Sequence, residues 1–282
     1  MGTFKVVRNF NGARFIVFGV SAIILAMYFR LFFGVDTSDE GFSLTMSYLF
    51  SQGGQPFINE WTAQQGAAVI FAPFVKIYIS LIGSTDGLVL FGRHSYFVLS
   101  ATASWKIWRL CRHYTTSVTA LFPAILPIIF HPGGIPNINY NSLGALSWLL
   151  GLGLIYSCYI PLKSRLEKRC GAFLGATFLV IASYSYPSLM VVTSLLIVVS
   201  FSFPPYSEQG EAVNFNADRI YRLSLFWGLS FLAIPLIYVI FSDGLESIIT
   251  CYKYASASPV HGGGWSKISG FIKKLETFAR TQ

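Results

Sequence analysis

Charge is what this chain has least of. Only 11% of its residues are Asp, Glu, Lys or Arg, against about a quarter in a soluble globular domain, and that scarcity excludes an ordinary water-exposed surface. Cysteine is also sparse. Cys111, Cys158, Cys170 and Cys251 show no paired metal-type spacing, and three of them fall in or beside apolar segments, which reads as packing and gives no basis for disulfides. Strand-length alternation between turns is missing, which argues against a β-barrel. No small-residue cleavage site follows the first apolar stretch, so that stretch reads as a retained span, not a signal peptide. Between residues 35 and 72 there is no Lys or Arg at all, and such a segment suits the outside of a membrane.

What the chain does have is apolar sequence in membrane-length runs. Hydrophobic residues make up 54% of it and aromatics 17%, with stretches reaching the roughly 17–25 residues that a hydrocarbon core about 30 Å thick demands of a helix. In lipid the backbone must satisfy itself internally, which leaves helices as the spanning element. The expected fold is an all-α polytopic membrane protein. Candidate segments are Arg14 to Gly34, Gly66 to Gly83, Leu88 to Trp108, Thr115 to His131, Ser142 to Ile160, Gly171 to Tyr186, Leu189 to Phe203 and Leu223 to Phe241. The net charge of +8 comes from Lys and Arg clustered in short loops between these segments. That placement reads as topology signals and attraction to anionic lipid headgroups, with no nucleic-acid partner.

Charge placement decides how the segments thread. Lys5, Arg8 and Arg14 put the N-terminus inside. If Gly66 to Gly83 crosses, the basic groups Lys106, Arg109, Arg112 and Lys163, Arg165, Lys168, Arg169 both land outside. If it lies along the outer interface instead, both fall inside, together with Pro204 to Arg222. Pro73, Lys76 and the flanking Gln64, Gln65 and Asp86 suit an amphipathic juxtamembrane helix. The expectation is one transmembrane domain over 1–282 with about seven spans, an outer loop over 35–87, a second around Pro132 to Asn141, and an outer tail over 242–282. The segments either side of Tyr186-Pro187 would form a hairpin.

This threading gathers Asp36, Asp39, Glu40, Glu60, Asp86, His131 and Asn137 to Asn141 on the outer side, with Arg93 just inside a span. Ionisable groups at membrane depth are expensive, and mark functional sites by default. Arg93 has two readings: snorkelling or pairing with Asp86, or a bidentate grip on phosphate. Asp39 and Glu40 could serve as N-terminal helix caps for the run Phe42 to Phe50, but capping leaves Asp36 unexplained. A carboxylate cluster at a low-dielectric boundary can also supply a general base or oxygen ligands for a divalent cation.

The order of elements resembles the membrane-embedded GT-C glycosyltransferases, nearest in pattern to the protein O-mannosyltransferase and lipid A aminoarabinose transferase branch. The matching residues are Ser38-Asp39-Glu40-Gly41, Tyr48-Leu49-Phe50-Ser51-Gln52-Gly53-Gly54-Gln55-Pro56, Phe74 to Gly83, Phe91-Gly92-Arg93 and Asn139-Tyr140-Asn141-Ser142-Leu143-Gly144. The resemblance implies a GT-C-like helix bundle with outer-face juxtamembrane helices in a bacterial cytoplasmic membrane. It implies transfer of a sugar from a polyprenyl-phosphate carrier to a glycan, lipid or protein acceptor on the outer face, with inversion.

Asp39 would then be the base, with Glu40 beside it as a second catalytic carboxylate. Arg93, His131 and Glu60 would be substrate and phosphate contacts, and Asp36 with Asp39 the ligands of any divalent cation. The chain departs from the pattern at Asn59-Glu60-Trp61, where a basic residue is expected. It departs again in the second outer loop, where Asn137, Asn139 and Asn141 stand in place of an acid. Such enzymes run longer, so the expectation is the N-terminal part of a larger architecture, a fragment or a truncated gene product. Rival readings are a transporter or flippase of a lipid-linked sugar and a non-catalytic membrane assembly subunit.

Overall fold

The structure is a computed structural model that describes residues 10–34, 39–56, 65–131, 136–158 and 164–186, with single positions to 195 and at 249, 250 and 253. Asp36, Glu60, the side chain of Asp39, the expected span Leu223 to Phe241 and all but those three positions of the tail from 242 lie outside the described residues. Seven helices follow one another among those described: α1 (Phe10–Arg30), α2 (Asp39–Ser51), α3 (Gly66–Ile82), α4 (Leu88–Tyr114), α5 (Leu121–Ile129), α6 (Tyr140–Ser157) and α7 (Arg165–Ser185). No strand occurs among them.

α1 is apolar on every side and packs against little of the rest. One helix among the described residues is long and apolar enough to cross a membrane, and it is this one, over Gly12–Arg30, with none of it buried. Phe15, Phe18, Leu25 and Phe29 point outward, an arrangement that in water would have no driving force. α3 matches the expected juxtamembrane segment and runs through Pro73 without breaking. It stops at Gly83, whose φ of 78° gives the left-handed cap that a Cβ would disfavour. Ala67, Ala68, Phe71, Ala72 and Val75 face inward, while Phe74, Ile77, Leu81 and Ile82 stay exposed.

The centre is made by α4, α6 and α7. Gly151 on α6 and Gly175 on α7 lie so close that a Cβ on Gly151 would sit 2.9 Å from the Gly175 carbonyl, and one on Gly175 would sit 3.0 Å from that of Gly151. Small residues at a crossing let two backbones meet closely, the packing mode of helices in lipid.

Three segments differ most from their expected extents. α4 runs to Tyr114, six residues past Trp108, so Arg109 and Arg112 are helical and not in a loop. Thr115 to His131 was expected to be a helix throughout, but its helix proper covers only Leu121–Ile129, roughly 14 Å and too short to cross alone. The threonine run explains the shortening: Thr116 and Thr119 bond hydroxyl to hydroxyl at 2.8 Å, and the Thr119 amide donates to Thr116 Oγ1, closing a local turn in place of helix. The segment still runs back along α4, pinned by Trp108 Nε1 donating to the Ser117 carbonyl and Tyr96 Oη to that of Phe130.

α7 starts earlier than Gly171, because Ser164 and Glu167 form a capping box that draws Arg165, Lys168 and Arg169 into the helix. Beyond Tyr186, Ser183 Oγ donates to Thr193 Oγ1 at 3.2 Å. A continuous helix would hold those residues about 15 Å apart, so α7 does not run straight on to Thr193.

Candidate functional site: a buried carboxylate–guanidinium network

α2 begins at Asp39, and its next residue, Glu40, is 3% exposed. A carboxylate so deeply placed requires a cation and further donors. Arg93, on the first turns of α4 and 4% exposed, supplies both prongs of a fork: Nε donates to Glu40 Oε1 and Nη2 to Oε2, each at 2.7 Å. The rest of the guanidinium faces the end of α1. Nη1 donates to the carbonyls of Leu31 at 2.9 Å and Phe33 at 3.3 Å, and Nη2 to that of Gly34 at 2.7 Å. These carbonyls follow the last turn of α1, where unsatisfied acceptors and the negative end of the helix dipole both favour a cation.

The five contacts match the five N–H groups of an arginine. Arg93 therefore splices the end of α1 to the start of α2 and has no donor left over for a phosphate in this arrangement. The expected alternative partner, Asp86, is occupied elsewhere: its carboxylate accepts from Ser84 Oγ at 3.0 Å and its carbonyl from Tyr78 Oη at 2.5 Å. In this arrangement the guanidinium makes an internal ion pair with Glu40.

Asn137, 0% exposed, completes the network from the second loop. Its Nδ2 donates to Glu40 Oε1 at 2.6 Å, its Oδ1 accepts from the Ile138 amide at 2.6 Å, and its carbonyl accepts from Ser142 Oγ at 2.6 Å. Asn139 and Ser142 then cap α6 reciprocally. Gly92 is what admits the amide, because a Cβ there would overlap Asn137 Oδ1. One polar cluster thus ties together α1, α2, α4 and the entry to α6.

His131 lies beside this cluster without joining it. Its Nδ1–H donates to the Ile129 carbonyl at 2.9 Å, and its ring stands 5.5 Å from that of Tyr96, one turn along α4 from Arg93. Burial first, and the positive charge of Arg30 as a lesser cause, hold its pKa below the ordinary 6.5, against the opposing Ile129 bond. It is neutral at pH 7.

Among the described residues no group of three or more His, Cys, Asp or Glu could hold a metal ion. The carboxylates of Asp36 and Asp39, expected to do so, lie outside them, as does Glu60. Comparison of the chain with protein-family models, with curated proteins and with solved structures finds no match.

Five residues escaped the sequence reading. The carbonyls of Leu31, Phe33 and Gly34 are backbone groups, which composition cannot flag. His94 follows Arg93 directly; its Nδ1 bonds the Leu90 carbonyl at 2.8 Å and its Nε2 lies 3.4 Å from Tyr28 Oη, joining α4 to α1. Arg30, the last residue of α1, carries the charge felt by His131. Its position at the end of an apolar run was the available signal.

Proposed function

We propose that the chain is a multi-pass membrane glycosyltransferase of the GT-C type. It transfers a sugar from a polyprenyl-phosphate donor to an acceptor on the outer face, with inversion, and Asp39 acts as base. The observation that supports this reading is the buried Glu40–Arg93–Asn137 network. It fixes the first turn of α2, and so the backbone of Asp39, against three other segments at one end of the bundle. A base gains its rate from being held in one geometry, and a satisfied buried ion pair is a rigid mount.

On this reading Glu40 and Arg93 position the first turn of α2, and His131 is a contact for the substrate. A divalent cation would be held by Asp39 with Asp36. The saturation of Arg93 favours one rival, a non-catalytic assembly subunit in which the network serves only as a structural clamp. Proteoliposomes holding the full chain and a polyprenyl-phosphate-linked hexose or aminopentose separate these readings. A transferase releases the carrier phosphate as the sugar moves to the acceptor. A flippase would relocate the intact conjugate, and a clamp would leave it untouched.

A further inference from the structure

The other end of α4 carries cations in a different setting. Arg109 Cζ lies 5.1 Å from the ring centre of Trp105, and Arg112 Cζ lies 4.8 Å from that of Trp108. Each pair spans one helical turn, so the two stacks sit side by side on the same stretch of α4. Stacking holds a guanidinium by its face and leaves its N–H edges available. Both arginines are exposed, and neither is paired with a carboxylate among the described residues. Counting from Arg93, Arg109 and Arg112 are roughly 24 and 29 Å further along the helix, close to the thickness of a hydrocarbon core, about 30 Å.

Other cations and aromatic side chains meet there. Lys106 Nζ donates to Ser157 Oγ at 2.8 Å at the end of α6, and the hydroxyls of Tyr114 and Tyr156 lie 3.0 Å apart. Cys158 Sγ donates to the Lys168 carbonyl at 3.2 Å, which brings the first turns of α7, with Lys168 and Arg169, to the same end. The only acidic residue in these turns, Glu167, is engaged with the Ser164 amide in the capping box. Trp105 is 53% and Tyr114 65% exposed. Amphipathic rings alternating with oriented cations suit the level of lipid headgroups.

We infer that this end of the bundle is a recognition site for anionic phospholipid headgroups, in which the stacked guanidinium groups of Arg109 and Arg112 take the phosphate. Arginine held flat by an indole presents a fork to two phosphate oxygens at once, which a lysine cannot do. The site rests on the membrane-spanning part of the proposed function and is independent of sugar transfer.

The test is thermal unfolding of the full chain in detergent, titrated with phosphatidylglycerol or with phosphatidylcholine. Phosphatidylglycerol should raise Tm at about fivefold lower lipid concentration, and the gap should close in about 0.5 M salt. Arg109→Gln with Arg112→Gln should abolish the gap, Arg109→Lys with Arg112→Lys should keep only part of it, and Lys76→Gln should leave it whole. Equal curves for the two lipids overturn the inference, as does a gap that survives the double glutamine change. Inorganic phosphate reproducing the effect would assign the site to a free anion and overturn it too. Should the double variant fail to fold, the wild-type salt series decides, because a gap indifferent to salt is not electrostatic. Release of the chain from membranes by alkaline carbonate would instead refute the spanning arrangement itself.

Discussion

Replacing Arg93 by Met should destabilise the protein more than any other single change at the candidate site. The variant leaves the Glu40 carboxylate, 3% exposed, without its counter-charge, which costs about 3–5 kcal/mol. It also strips donors from the carbonyls of Leu31, Phe33 and Gly34, each worth about 1 kcal/mol net. Glu40→Leu alone strands the cation but leaves those carbonyls their donors, at about 3–5 kcal/mol. The double change removes both charges and leaves chiefly the uncapped carbonyls, about 3 kcal/mol by the same count. The double variant should therefore be no less stable than either single one, with a coupling of about 6–10 kcal/mol across the cycle by the same count. Unfolding in detergent, followed by circular dichroism against temperature or denaturant, reads all four corners. Additive costs, or single variants within about 1 kcal/mol of wild type, would refute the view that this pair is the splice between α1 and α2.

Three further outcomes follow from the same geometry. Gly92→Ala should cost about 1–3 kcal/mol, because a methyl group displaces the Asn137 amide from Glu40; the unfolding assay reads it, and a neutral Gly92→Ala would show that the amide has room to spare. His131 binds its proton less readily folded than unfolded, so stability should fall as pH drops below about 6.5, and His131→Gln should flatten that limb in Tm measured from pH 5 to 8. In a background freed of native cysteines, Ser84→Cys should label from outside and Ser164→Cys from the cytoplasm. Labelling of Ser84→Cys from the cytoplasm alone would mean that α3 crosses.

The helical fold was legible because long apolar runs carry their own signal, and the boundaries of α3 followed from the glycines at 66 and 83. The shortening of α5 was not, since a hydroxyl-to-hydroxyl turn among threonines competes with helix only by local geometry. The early start of α7 had a signal, Ser164 three residues before Glu167, but the basic cluster around it read first as a loop. At the site, Arg93 stood out as a charge at the head of a span, and Glu40 as half of an acidic doublet. What joins them was hidden. Asp86 lies seven residues from Arg93 and Glu40 lies 53 away, and only the packing of α2 on α4 decides between them. Asn137 was visible as one asparagine among several, and only the gap above Gly92 selects it.

The central claim is that Asp39 is the base of a sugar transfer and that its neighbours hold it in place. The most direct measurement is the transfer rate of the full chain and its Asp39→Asn variant in proteoliposomes, from a polyprenyl-phosphate-linked sugar to an acceptor. Loss of a positioned base predicts a fall of about 10²–10⁴-fold with insertion and Tm unchanged. Transfer by Asp39→Asn at the wild-type rate would contradict the claim.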